Sequence, residues 1–202
     1  MKLRMRIAML GLVMASLVAG SGLVGCKPNQ PQFKSIDITG ANYAKGFELT
    51  DQLGRTRQLS DFKGKVVVVF FGYTQCPDVC PTSLSELAQA KRLLGADADK
   101  LQGVFVTLDA ERDTPELLKA YMANFDDEFV ALIPTPEQRE ALAKEFKIYY
   151  KVVEGKTPTS YTLDHSAGSY LYDAQGRLRL YSRYGAGAQA LADDVKILLA
   201  ER

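Results

Sequence analysis

The run VVVVFF at residues 66–71 leaves few folds open. A continuous stretch of β-branched and aromatic residues offers no polar side to water, so the strand it forms must be covered on both faces. Such a strand sits inside a sheet with helices packed on it. It runs straight into GYTQCPDVCPTSL (72–84), a loop carrying two of the chain's three cysteines. A helix follows over 81–94, with Leu84, Leu87, Ala88 and Leu94 at helical spacing and Pro81 suited to a first turn.

The rest of the chain repeats this alternation. FELTD and TRQLSDF around QLG predict a short opening hairpin, and GVFVTL (103–108) predicts a second buried strand. DTPELLKAYMANF (113–125) places Pro115 at the first helical position, with Asp113 and Glu116 at capping-box spacing. FVALI reads as a third strand and TPEQREALAKEFK (135–147) as a capped helix. SYLYDAQGRLRLYSR (169–183) predicts two strands about a turn at Gln175–Gly176, and GAQALADDVKILLAER an amphipathic closing helix. Strands alternating with helices imply a parallel core, and the late hairpin adds an antiparallel edge. The expected fold class is therefore α/β, in the thioredoxin-like arrangement. It has a central mixed sheet flanked by helices, an N-terminal hairpin and an inserted loop, YYKVVEGKTPTS (149–160), ahead of the strand that follows His165. That insertion reads equally as a partner-docking flap or a plain surface hairpin.

The N-terminus has a different character. MKLRMR supplies Lys2, Arg4 and Arg6, and IAMLGLVMASLVAG is a short apolar stretch broken by glycine. LVGC then ends in Cys26. This is the layout of a secretory signal, and its ending resembles a bacterial lipobox, with Cys26 as the lipid-attachment residue. The expected organisation is a lipoprotein signal peptide over 1–25, a lipid-anchored tether over 26–45 and a single domain over 46–202. The tether is read from polar residues with scattered Pro and Gly. The expected location is the periplasmic face of a bacterial membrane, the inner one, where paired thiols are reduced, metallated or bonded. Without its basic leader the chain is close to charge balance and shows no basic cluster, so nucleic acid is excluded as a natural partner.

Modification of Cys26 would leave Cys76 and Cys80 as a pair. They lie where the first central strand turns into the first long helix, at the carboxyl end of the sheet. A helix N-terminus favours a thiolate, and the flanking prolines stiffen the loop, so two exposed, acidic thiols are expected. Three chemistries suit them. A structural disulfide would close a very short loop and stabilise the fold little. Thiol–disulfide exchange suits the position, although its usual spacing is C-x-x-C and this is C-x-x-x-C. A soft-metal site needs a further ligand, and the chain's one histidine, His165, is the only imidazole available. His165 falls in a loop entering the SYLYD strand, beside the cysteine turn in a thioredoxin-like sheet, with Asp164 placed to orient its ring. Two cysteines and one histidine with an open position suit copper better than closed structural zinc. A peroxiredoxin-type peroxidase fits poorly, because no proline precedes Cys76 in VVVVFFGYTQ.

GYTQCPDVCPTSL, DAERDTPELLKAY and DHSAGSYLYDAQG resemble the three signature blocks of the Sco/SenC family, across roughly residues 36–200. Ala110 stands where the second block usually has proline, and a lipobox replaces the transmembrane helix of many relatives. The resemblance implies a thioredoxin-like copper protein with Cys76, Cys80 and His165 as ligands. It implies delivery of copper to the two-copper centre of cytochrome c oxidase, or reduction of that centre's cysteines. As a carrier the protein is no enzyme; as a reductase, Cys76 and Cys80 become its catalytic residues. The implied cargo is Cu(I), with Cu(II) as a second state. The implied partners are the oxidase subunit that bears copper, another periplasmic copper carrier or a thioredoxin-like reductase, and the membrane. Elsewhere, Tyr73 and Phe71 are expected to pack beneath the loop, and Asp78 to be an exposed loop residue. The charged turn Asp109, Glu111, Arg112 and Asp113 reads as salt-bridged helix capping, in preference to a second metal site.

Overall fold

The computed structural model describes residues 32–157 and 160–201. In chain order the strands are β1 (Ile36–Asp37), β2 (Glu48–Asp51), β3 (Thr56–Gln58), β4 (Val66–Gly72), β5 (Leu101–Thr107), β6 (Val130–Ile133), β7 (Tyr150–Val153), β8 (Thr162–His165), β9 (Ser169–Tyr172) and β10 (Leu178–Ser182). The helices are α1 (Val79–Leu93), α2 (Pro115–Ala123), α3 (Pro136–Glu145) and α4 (Ala188–Ala200). Eight strands form one sheet in the order β1-β10-β9-β4-β5-β6-β2-β3. Strands β7 and β8 pair only with each other, outside that sheet.

VVVVFF forms β4 as its composition requires, and every residue of the strand is buried. It runs parallel to β5, Phe70 opposite Phe105, and antiparallel to β9, Phe70 opposite Ser169. Successive side chains leave opposite faces of a strand. Phe70 accordingly packs on Phe105, while Phe71 meets Phe146 at a 5.0 Å ring separation. Each fully buried aromatic side chain contributes about 1.5–3 kcal/mol relative to exposure, so both layers depend on this strand. The β4–α1–β5–α2–β6 run, the β9–β10 hairpin and the closing α4 make this a thioredoxin-like α/β domain. The opening β2–β3 hairpin joins the far edge by pairing β2 with β6.

Helix starts follow their local chemistry. The Thr135 hydroxyl accepts the Gln138 N–H while the Gln138 side chain accepts the Thr135 N–H, a closed capping box ahead of Pro136. At α2 the cap is Thr114, whose hydroxyl accepts the Leu117 N–H, so the expected Asp113–Glu116 box does not form. Pro115 at the first helical position requires the cap to be residue 114, which frees Asp113 for another role.

The tether expected over 26–45 is corrected where the structure describes it. Phe33 packs against the core, and the Lys34 and Ser35 N–H groups donate to the buried Asp194 carboxylate at 2.6 and 2.8 Å. β1 pairs with β10, and Ala44 is fully buried with its carbonyl accepting the Tyr172 hydroxyl. Polar composition concealed these contacts because they are made mostly by backbone groups. The expected signal peptide (1–25) and Cys26 lie outside the described residues. Among the described residues no helix is long and apolar enough to cross a membrane.

Candidate metal centre

The two cysteines sit where β4 hands over to α1. The Cys76 N–H donates to the Tyr73 carbonyl at 3.3 Å, which curls the loop back under itself. Cys80 is the second residue of α1, because the helix begins at Val79, two residues before the expected start at Pro81. Both thiols are free and, against expectation, neither is exposed: Cys76 is 9% accessible and Cys80 0%. Gly72, the last residue of β4, makes room for the deeper sulfur. A Cβ built there would stand 2.7 Å from Cys80 Sγ and 2.9 Å from the Phe105 ring.

The acidity expected of both thiols belongs to one. The Cys80 thiol, donating to the Cys76 sulfur, holds the Cys76 thiol down to about 4; His165 and the Cys80 and Asp78 N–H groups add to this, and burial opposes it. Cys80 moves the other way, raised by that same shared proton and by burial. The two sulfurs therefore titrate as a unit, the first proton leaving easily and the second held by burial and by the neighbouring sulfur.

His165 comes from the end of β8, not from a loop. The structure brings it to the cysteines: one ligand atom each from Cys76, Cys80 and His165 lie within 4.8 Å of one another. His165 Nε2 is 3.5 Å from Cys80 Sγ. Its Nδ1 lies 2.9 Å from the Ser166 carbonyl, which can only accept, so Nδ1 donates there and Nε2 is the nitrogen turned toward the sulfurs. Asp164, expected to orient the ring, is exposed; the Ser166 carbonyl does that work. Phe70 and Tyr73 hold the ring edge-on at 6.2 and 6.0 Å. A cavity of about 300 Å³ opens over Cys76 and His165, bordered by Pro77, Asp78, Thr162 and Asp164, with Cys80 beneath it. Two sulfurs and one imidazole nitrogen with an open approach form a donor set for a soft, low-coordinate ion such as Cu(I).

Several residues hold this site through partners distant in sequence. The buried Asp113 carboxylate accepts the Thr74 hydroxyl and the Thr107 hydroxyl, each at 2.5 Å, and the Thr74 N–H at 3.1 Å. It staples the cysteine loop to the end of β5, and burial raises its pKa against those bonds. The Tyr73 hydroxyl accepts the Leu163 N–H at 3.2 Å, joining the floor of the site to β8. The charged turn contains the expected ion pairs, Arg112 with Asp109 and Arg139 with Glu111, but Arg112 also reaches the hairpin. Gly72 was visible as the one residue without a side chain at the end of a bulky run.

Fold and site together define a class: a thioredoxin-like protein whose two-thiol turn is completed by an imidazole from a separate hairpin. The family model described as SCO1/SenC matches residues 37–200, and the chain belongs to that family. The SCO2-like protein of Rickettsia felis is 34% identical over 174 residues, covering 82% of this chain and 85% of its own length. The structure of Bradyrhizobium japonicum ScoI with copper bound is similar at 39% identity and a TM-score of 0.69, over 76% of this chain and 97% of that one. Apo Sco1 from Thermus thermophilus is similar at 31% identity and a TM-score of 0.73, over 84% and 99%.

Proposed function

We propose that this chain is a copper carrier that takes up one copper ion through Cys76, Cys80 and His165 and hands it to the copper-bearing subunit of cytochrome c oxidase. The observation that carries the reading is the convergence of two sulfurs and the Nε2 turned toward them, from elements 85 residues apart in sequence. Copper bound in the Bradyrhizobium relative supports the choice of ion. Cu(I) accepts two thiolates and an imidazole, and an open, three-donor site can pass its ion by exchanging one bond at a time. In this reading Cys26 carries the lipid that keeps the domain on the periplasmic face of a bacterial membrane. The test is titration of the reduced full chain with Cu(I). One ion per chain is expected, with Cys76→Ser, Cys80→Ser and His165→Ala each weakening retention. Equal retention in all three variants overturns the reading.

A second reading is favoured by the asymmetry of the thiols. The Cys76 thiolate is poised to attack a sulfur of a partner's disulfide, releasing one partner thiolate and forming a mixed disulfide. Cys80, on losing its proton, would attack Cys76, free the second partner thiolate and close a Cys76–Cys80 disulfide. Two electrons pass to the partner. His165→Ala separates the readings: it weakens a carrier and leaves a reductase able to turn over.

A further inference from the structure

We infer that Arg112 is the latch that holds the His165 hairpin against the cysteine loop, and so sets how long the cargo stays. The inference rests on the copper reading for its cargo, but its geometry stands in the bare chain. His165 sits on a strand pair that shares no ladder with the eight-stranded sheet, so side chains must supply much of its attachment. Leu163 contributes burial, and its N–H reaches Tyr73. The densest polar attachment lies just before β8, at Tyr161. The Arg112 guanidinium lies 3.5 Å from the Tyr161 ring centroid, and its Nη1 donates to the Tyr161 carbonyl at 2.9 Å. The same nitrogen donates to Gln75 Oε1 at 3.2 Å, on the residue before Cys76. Arg112 Nε donates to Asp109 Oδ2 at 2.5 Å, and the Tyr161 hydroxyl donates to Asp109 Oδ1 at 2.6 Å.

One guanidinium and one carboxylate thus tie three segments together: the turn after β5, the loop before Cys76 and the residue that leads into β8. The pair is largely withdrawn from water, with side chains 13% and 1% exposed, so its attraction is weakly screened. A planar fork that stacks on an aromatic ring and bonds on three sides is a task for arginine that lysine cannot copy. Arg112 is not among the three ligand-bearing residues. It is a positioning residue that acts through His165.

The experiment uses the full chain in detergent, reduced, as wild type, Arg112→Lys, Tyr161→Ala and Tyr161→Phe. Each is also made in a His165→Ala background. Two quantities are read: amide hydrogen exchange of the copper-free chain, and the rate at which loaded Cu(I) passes to an excess of a chromophoric chelator. Arg112→Lys and Tyr161→Ala are expected to speed exchange in β7 and β8 while leaving β4 and β5 protected. Both should raise the copper release rate about tenfold or more, the scale of losing charged hydrogen bonds. Tyr161→Phe, which keeps the stack, should act in the same direction by less. In the His165→Ala background the release effect should vanish, because a latch on an absent ligand has nothing to hold.

Folded variants with wild-type hairpin exchange and wild-type release overturn the latch. So does a release effect that persists unchanged without His165. Arg112→Lys disturbs the cation beside the buried Asp109; if it fails to fold, Tyr161→Ala, which keeps that pair, decides by the same readings. A wild-type chain that takes up no copper overturns the carrier reading instead, and hairpin exchange then decides the latch alone.

Discussion

Gly72 and Cys80 compete for one space: a Cβ on the glycine would stand 2.7 Å from the Cys80 sulfur, closer than real Cβ contacts come. Gly72→Ala must therefore push the sulfur, the Phe105 ring or the strand end aside. Overpacking of this kind costs about 1–3 kcal/mol. The expected outcome is a fall in Tm of several degrees together with weakened Cu(I) retention. Thermal unfolding and chelator competition measured side by side check it, and wild-type values for both would show that the crowding is absent in solution.

The depressed Cys76 thiol should show in its chemistry. Its value of about 4 means that its alkylation rate changes little between pH 6 and 8, where an ordinary thiol gains about tenfold per unit. Cys80→Ala removes the donor that contributes most to the depression. In that variant the Cys76 rate should climb with pH through the same range. Rates from iodoacetamide labelling and mass spectrometry decide this, and a pH-independent rate in Cys80→Ala would contradict the shared-proton account.

Loading should release one proton, not two. With the Cys76 thiol drawn down to about 4 and Cys80 raised above the ordinary thiol range, the pair is expected to carry one proton at neutral pH. Both sulfurs bind the ion as thiolates, so only the Cys80 proton leaves between pH 7 and 9. Release on binding means affinity strengthens as pH rises, by about tenfold per unit for one proton. Calorimetry in buffers of different ionisation enthalpy counts the protons. A count of two would place a thiol proton on Cys76 in the resting protein.

Asp113→Ala removes the acceptor for the Thr74 N–H and for the Thr74 and Thr107 hydroxyls. Buried donors left without partners cost about 1–3 kcal/mol each. Stability to urea should fall by a few kcal/mol, with the cysteine loop becoming the first segment to exchange its amides. Unchanged loop protection would mean that these bonds do not hold the cysteine loop.

The sequence showed the frame of this molecule more clearly than its joints. VVVVFF announced β4, the alternation announced the sheet, and the position of Cys76 and Cys80 after that strand placed the site. These features rest on local periodicity and local turn chemistry, which one chain segment carries by itself. The unequal thiols were invisible because their inequality arises from burial and from the neighbouring sulfur, which only the folded loop and helix start bring together. Asp113 was misassigned because its partners, Thr74 and Thr107, lie on other elements. His165 was placed in a loop because TLDH is too short to announce a strand, and only its pairing with Tyr150–Val153 makes it one. The segment from Phe33 to Ala44 read as linker for the same reason: its contacts are with Asp194, Tyr172 and β10.

The separation of the β7–β8 pair from the main sheet divides the molecule's labour. The two sulfurs sit in the packed core where β4 passes into α1. The third donor rides on an arm whose grip can be loosened or tightened by exchanging a few outlying side chains. If the latch holds as proposed, residence time is free to drift between relatives without any revision of the cysteine turn.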